Sequence, residues 1–292
     1  MEKAYDIITD RILAELDKGS VPWRKPWTVP TGMMPQNAVS KRPYTSINSL
    51  MLGLAPFPDP RWVTFHGALD LGGSVRKGEK GFPVVFWKWL SVEGEDKDGN
   101  KKPKEIPFLR YYTVFNVLQC DGLKLPPLAD VLGEPPQPND AAERIIATMP
   151  DKPSIANDGG VNAFYRPSTD SVHLPKREAF TDAGEYYSVA FHELTHSTGH
   201  PKRLARLEDL TQLAAFGSAD YSKEELVAEF GASYLCHASG IENTIPNSAA
   251  YIASWAKRIK DDHKLIVLAA SKAQKAVDYI TGRKLQEQAT AK

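Results

Sequence analysis

The sequence predicts an α+β chain of two domains, a β-rich N-terminal unit and a C-terminal unit in which helices follow a small sheet. Three observations carry this reading. Segments dense in β-branched and aromatic residues crowd the first 122 residues. Five prolines fall in "LKLPPLADVLGEPPQPND", residues 123–140, a composition that suits a semi-rigid linker rather than a helix or a central strand. Beyond it, helical periodicity dominates. The expected organisation is therefore a domain over 1–122, a linker over 123–140 and a second domain over 141–292. A chain of 292 residues accommodates two domains. At 42% hydrophobic and 25% charged, it can build its cores without disulfide staples.

Taken in order, Ile7, Ile8, Ile12, Leu13 and Leu16 recur at helical spacing, and Lys18-Gly19 ends a first helix of about Ala4 to Leu16. "VPWRKPWTVPTGMMPQNAVSKRPYTSINSL" has too many prolines for a regular element and reads as an ordered loop laid over a core. A short helix is expected over Ser46 to Leu54. "RWVTFHGALDLGG", "FPVVFWKWLSV" and "FLRYYTVFNVLQC" read as strands, with the charged loop "GEDKDGNKKPK" between the last two. "VRKGEKG", residues 75–81, is a basic turn bounded by glycine. In the second domain a helix over Ala141 to Thr148 leads to "PSIAND", and "NAFYRPSTDSVHLP" forms two short strands around "STD". Helices then run over about 183–199, 223–239, 249–260 and 262–282.

Formal net charge is zero, which excludes a highly basic DNA-coating protein and an acidic DNA mimic while leaving local patches open. Two distant cysteines, Cys120 and Cys236, make no disulfide framework and point to a reducing compartment. With no signal-like start and no bilayer-length apolar run, the expected location is the cytoplasm.

The chemistry concentrates in "YYSVAFHELTHSTGH", residues 186–200. His192 and His196, four apart, share one helical face and can aim two imidazole nitrogens at one point, a geometry zinc accepts at ~2 Å. Glu193, beside the first histidine, can act as general base on water at the open position. The alternative is a helix with two incidental histidines. Gly199, which ends the helix one turn after His196, and the strand-forming "DSVHLP" upstream favour a metal facing a substrate groove. Position 202, where a metzincin has its third histidine, holds Lys202. The third ligand is then a glutamate of "YSKEELVAEFGASYLC", residues 221–236. Glu225 and Glu229 share a face, while Glu224 points elsewhere. Ser222 and Glu225 form an S-x-x-E capping box, which gives Glu225 a structural job and makes Glu229 the favoured ligand. Glu225 is the rival, since an E-x-x-A gluzincin pattern in "ELVAE" maps the ligand there. Whichever of the two is not the ligand, or a water, can hold the outer nitrogen of a histidine. Tyr221 is a candidate hydrogen-bond donor to an oxyanion, and His173 and His200 could do the same or lie at the surface. Cys236 is expected in the core and His237 at the surface. Two imidazoles and a carboxylate accept zinc first, with manganese or iron as alternatives.

Single-stranded nucleic acid is held by aromatic faces for bases and cations for phosphates. Trp23, Arg24, Lys25, Trp27, Lys41, Arg42 and Tyr44 interleave the two kinds, and the β block adds Trp62, Phe65, Phe86, Trp87 and Trp89 with Arg76, Lys77, Lys80 and Lys88 nearby. The competing reading makes the tryptophans simply core. The basic surplus of residues 1–122 is small, so affinity would come from a local groove with stacking.

"VPWRKPW", "YTSINSLML", "VRKGEKGFPVVFW" and "YYTVFNVLQCDGL" resemble the N-terminal single-stranded-DNA-binding domain of the ArdC antirestriction family, which also heads plasmid TraC-type DNA primases. "FHELTHSTGH", "YSKEELVAEFGASYLC" and "AAYIASWAKRIKDD" resemble the zincin-like metallopeptidase domain of the same proteins. The resemblance covers nearly the whole chain, and no primase-like segment follows within it. It implies a plasmid-encoded protein that binds incoming conjugative single-stranded DNA and helps it survive host restriction. The second domain would be gluzincin-like, with His192, Glu193 and His196 on the motif and a host restriction-system protein as a possible target. The alternative is a shield on single-stranded DNA whose metal site is structural or inert.

Overall fold

The computed structural model describes residues 2–19, 21–24, 33–95, 101–128, 138–158, 160, 162–180, 182–206, 219–241 and 249–283. Helix α1 (Glu2–Asp17) buries Ala4, Tyr5, Ile8, Ile12 and Leu16, while Ile7 and Leu13 of the stripe its spacing predicts are half-buried. After β1 (Gln36–Asn37), the expected short helix is α2 (Ile47–Gly53). Strand β2 (Arg61–Val63) is far shorter than "RWVTFHGALDLGG" predicts. Thr64 ends it, because the Thr64 hydroxyl accepts from the Gly67 N–H at 3.0 Å and caps a helix, α3 (Phe65–Asp70). Strand β3 (Ser74–Val75) follows. The long strands β4 (Phe82–Glu95) and β5 (Lys101–Asn116) then pair antiparallel from Phe82↔Val114 to Glu95↔Lys101. The tip of their charged loop, residues 96–100, lies outside the described residues. The main sheet has the order β1-β2-β5-β4, while β3 pairs with β6 (Cys120–Asp121).

The proline-dense stretch begins as a docked segment. Leu123 and Leu125 pack against Ala38, Val63, Ala68 and Val117, and Arg61 donates to the Pro126 carbonyl at 2.6 Å. Residues 129–137 lie outside the described residues, and Pro138 already belongs to α4 (Pro138–Thr148). "PSIAND" supplies β7 (Ser154–Ala156). The two strands expected around "STD" are β8 (Phe164–Arg166) and β9 (Ser171–His173), in the order β7-β9-β8. Four helices follow among the described residues: α5 (Ala183–Ser197), α6 (Ala219–Ser239), α7 (Ala249–Asp261) and α8 (Leu265–Ile280).

Helix α6 is the axis of the second domain. Leu226, Val227, Ala228, Phe230, Ala232, Tyr234, Leu235 and Cys236 are all buried, covering its circumference rather than one stripe, as expected of a helix packed on every side. Its principal partners are α5 and α8. The core does not stop at the domain boundary. The apolar face of α1, together with Val85 of β4 and Leu109 of β5, belongs to the same hydrophobic cluster as α4 through α8. The Thr9 hydroxyl donates to the His263 carbonyl at 2.9 Å, and Asp6 pairs with His263 at 2.6 Å, fixing α1 to the α7–α8 corner. Among the described residues, no helix is long and apolar enough to cross a membrane.

Candidate functional site

Asp182 starts α5 by accepting the Glu185 N–H, and the helix carries His192 and His196 one turn apart near its end. Two arginines that follow add donors to carbonyls of its last turn. Arg203 donates from Nε to the Ser197 carbonyl at 2.7 Å and pairs with Asp170, while Arg206 donates to the Thr195 carbonyl at 3.0 Å. The last turn of α5 is thus pinned from outside.

The opposing wall is α6. A Cβ on Gly231 would stand 2.4 Å from Thr195 Oγ1 and 2.5 Å from Thr195 Cγ2, so only glycine lets the two helices approach this closely. The approach brings Glu225 to the histidines. Its Oε1 lies 3.3 Å from His196 Nε2 and its Oε2 lies 3.5 Å from His192 Nε2, while the two Nε2 atoms are 3.1 Å apart. Two nitrogens bound to one tetrahedral zinc lie about 3.3 Å apart, given bonds of ~2.0–2.1 Å. Among the described residues, His192, His196 and Glu225 form the one group of three whose ligand atoms all lie within 4.8 Å of one another.

Glu229, the favoured ligand from sequence, is not in that group; the geometry favours Glu225. The reason is the helix start. Helix α6 begins at Ala219, so Ser222 already lies inside it rather than at its N-cap. Glu224 does not point elsewhere as expected. It is buried, with Oε1 3.5 Å from His196 Nδ1, and Arg206 grips both of its oxygens at 2.6 and 3.0 Å.

The local field favours a cation. Burial opposes charge on His196, yet Glu224, Glu225 and Glu193 outweigh it and push its pKa up to about 10. Burial likewise opposes ionisation of Glu225, but His192 and His196 hold its carboxyl well below the usual range. The donor set, its convergence and this field all fit a divalent ion. His196 is buried, whereas His192 and Glu225 keep 21% and 26% side-chain exposure, so one side of the group faces solvent. Glu193 is buried beside them. Tyr221 lies in the first turn of α6, with its side chain outside the described residues. His173 pairs with Asp158 at 2.7 Å, and His200 accepts the Lys202 N–H at 3.1 Å, so each is engaged locally. His237 is not at the surface: it is buried, with Nε2 2.6 Å from the Met33 carbonyl. Cys236 is in the core, where burial pushes its thiol up to about 12.

The expected nucleic-acid residues divide. Trp23 is fully buried, edge-on to Phe230 at 5.2 Å and Trp255 at 5.9 Å, and holds the N-terminal segment on α6 and α7. It offers no face to a base, and Tyr44 is buried too. Arg76 is committed to Glu79 at 2.8 Å and Asp121 at 3.4 Å. Lys41, Arg42, Lys77 and Lys80 are exposed. The side chains of Arg24, Lys25, Trp27, Trp87 and Lys88 lie outside the described residues. The sheet instead presents Phe86, one of the aromatic residues expected of the β block, at 42% exposure, and Tyr112, missed from sequence, at 48%, with rings 5.7 Å apart. Strand alternation around "VVF" and "RYYTV" could have placed both on one face.

The fold and site define a zincin-like chain, a helix-borne H-E-x-x-H opposed by a carboxylate, joined to a β-rich N-terminal domain. Residues 140–272 match the family described as zincin-like metallopeptidase, and residues 2–115 match the N-terminal domain of anti-restriction factor ArdC. The crystal structure of antirestriction ArdC protein from plasmid R388 superposes with TM-score 0.73 in its metal-free form, at 37% identity over 96% of this chain and 97% of that one. Its Mn(II)-bound form gives TM-score 0.72 over 97% and 99%. The uncharacterized protein y4eC of Sinorhizobium fredii is 36% identical over 94% of this chain and 91% of its own length. A DNA primase TraC of Escherichia coli is 36% identical over 98% of this chain but 28% of the primase, so the chain spans little more than a quarter of that relative. The chain belongs to the ArdC antirestriction family.

Proposed function

We propose that this chain is an antirestriction protein that binds single-stranded DNA and carries a metal-dependent peptidase site, protecting incoming conjugative DNA from a host restriction system. The observation that carries the enzymatic half is the convergence of His192 Nε2, His196 Nε2 and the Glu225 carboxylate beside Glu193. His192, His196 and Glu225 hold the ion, zinc first, with manganese or iron accepted by the same donors. When bound, the ion supplies Lewis-acid polarisation of a carbonyl group and of water. Glu193 takes a proton from the attacking water and returns it to the leaving amine. Tyr221 donates to the oxygen that gathers charge. Three protein ligands with one open side suit a catalytic site, since structural zinc sites are closed by a fourth.

The DNA half is supported by the exposed pair Phe86–Tyr112 on the main sheet and by the exposed cations Lys41, Arg42, Lys77 and Lys80. The experiment that tests the mechanism is Glu193→Gln in the full chain. Protection of unmodified DNA against a restriction endonuclease in cells should be lost while the metal stays bound. If protection survives with metal bound, hydrolysis is not the mechanism, and the protein acts as a shield on single-stranded DNA whose metal site is inert.

A further inference from the structure

His196 has two ring nitrogens with different neighbours. Nε2 faces His192 and Glu225, as the metal site requires. Nδ1 is buried and has no hydrogen-bond partner among the described residues, although the Glu224 carboxylate lies 3.5 Å away. An imidazole that binds a metal through Nε2 keeps its proton on Nδ1, and that buried N–H needs an acceptor. Glu224 cannot wander to meet some other need. It is 6% exposed, and Arg206 holds both oxygens in a forked pair. Arg206 is itself fixed to the end of α5, donating to Thr198 Oγ1 at 2.8 Å and to the Thr195 carbonyl at 3.0 Å. One guanidinium therefore ties the helix that carries His196 to the carboxylate that faces its outer nitrogen.

Resting on the metal-site reading above, we infer that Glu224 is a positioning residue: locked by Arg206, it accepts the Nδ1 proton of His196 and so fixes the tautomer and ring plane that aim Nε2 at the ion. Glu224 is not itself a ligand, because its oxygens address the far side of the ring. The arrangement makes metal affinity depend on a residue that never touches the metal. A carboxylate acceptor also raises the basicity of the ligand nitrogen, which strengthens its bond to the ion.

The test is Zn(II) affinity of the full chain, measured by competition with a chelator. Glu224→Gln keeps the shape and removes the charge, and it should weaken Zn(II) binding by about 10- to 100-fold. Glu143→Gln, which breaks the Glu143–Arg177 pair outside the metal cluster, is the control for stability loss alone and should leave affinity unchanged. Should Glu224→Gln bind Zn(II) as tightly as the wild type, Glu224 only anchors Arg206 and the inference is overturned. Should the variant fail to fold, the imidazole 15N–1H correlations of the Zn(II)-loaded wild type decide. A slowly exchanging, strongly downfield Nδ1 proton on His196 supports the inference, and a proton lost to rapid solvent exchange overturns it. Wild-type protein that takes up neither Zn(II) nor Mn(II) defeats the underlying metal reading instead, a result distinct from both.

Discussion

Glu225 and Glu229 stand one turn apart on α6, and only the first lies with His192 and His196. Both are glutamates on the same face, so local chemistry does not separate them; the place where α5 crosses α6 does. Glu225→Gln removes the one carboxylate that faces both imidazoles and should weaken metal binding by more than about 100-fold, beyond the loss of an outer partner. Glu229→Gln should leave it within about threefold, comparable to a change outside the ligand set. Calorimetric titration of the two variants checks this, and the reverse order would return the role to Glu229. The same scale explains Trp23. A tryptophan beside two cations and two prolines reads as a stacking surface, but its ring area is worth more in the core, against Phe230 and Trp255, than on water.

At the level of elements, the site is a contact between two helices, and Gly231 sets their distance. Gly231→Ala gains up to about 1 kcal/mol of helix propensity. It also drives a methyl into Thr195, and overpacking of this kind costs about 1–3 kcal/mol. The variant should melt lower and bind metal more weakly, because α5 and α6 carry different ligands. Adding Thr195→Ala removes the two closest contacts and should restore both readouts.

The pin at the end of α5 has its own signature. Burial disfavours the charge on Asp170, yet Arg203 and Tyr165 hold its carboxyl below the usual range. A depressed carboxylate contributes stability above its unfolded pKa of ~3.9, and that contribution is lost as pH falls through the folded value. Asp170→Asn suits the left-handed backbone there, at φ 47°, and isolates the charge. It should lower stability at pH 7 by about 1–2 kcal/mol, between an exposed and a fully buried pair, since Arg203 is buried while Asp170 keeps 21% side-chain exposure. Urea titrations at several pH values should show the deficit shrinking below pH ~4.

Across the whole molecule, one hydrophobic cluster joins α1, β4 and β5 to the helices of the second domain. An N-terminal fragment would expose the face of α1 that packs on the α7–α8 corner, so the proposed DNA binding is tested in the full chain. Phe86→Ala with Tyr112→Ala in that chain should weaken a single-stranded oligonucleotide by about 1–3 kcal/mol per stacked base, with a steep loss as salt rises. Fluorescence anisotropy measures it, and unchanged affinity would remove this face from the interface.

The sequence alone determined most of the helices and the candidate metal motif. Hydrophobic period placed α1 and α4 through α8, and the i, i+4 spacing of His192 and His196 required one helical face. Family membership was legible in the same motifs. Three decisions lay outside local pattern: Glu225 over Glu229, Glu224 as the neighbour of His196 Nδ1, and burial of Trp23 and Tyr44 while Phe86 and Tyr112 stay exposed. Each depends on a surface contributed by another part of the chain, where α6 starts, how near Gly231 lets α5 come, and which helices cover the sheet. Periodicity records which faces of an element are apolar; only the packed structure decides what those faces meet.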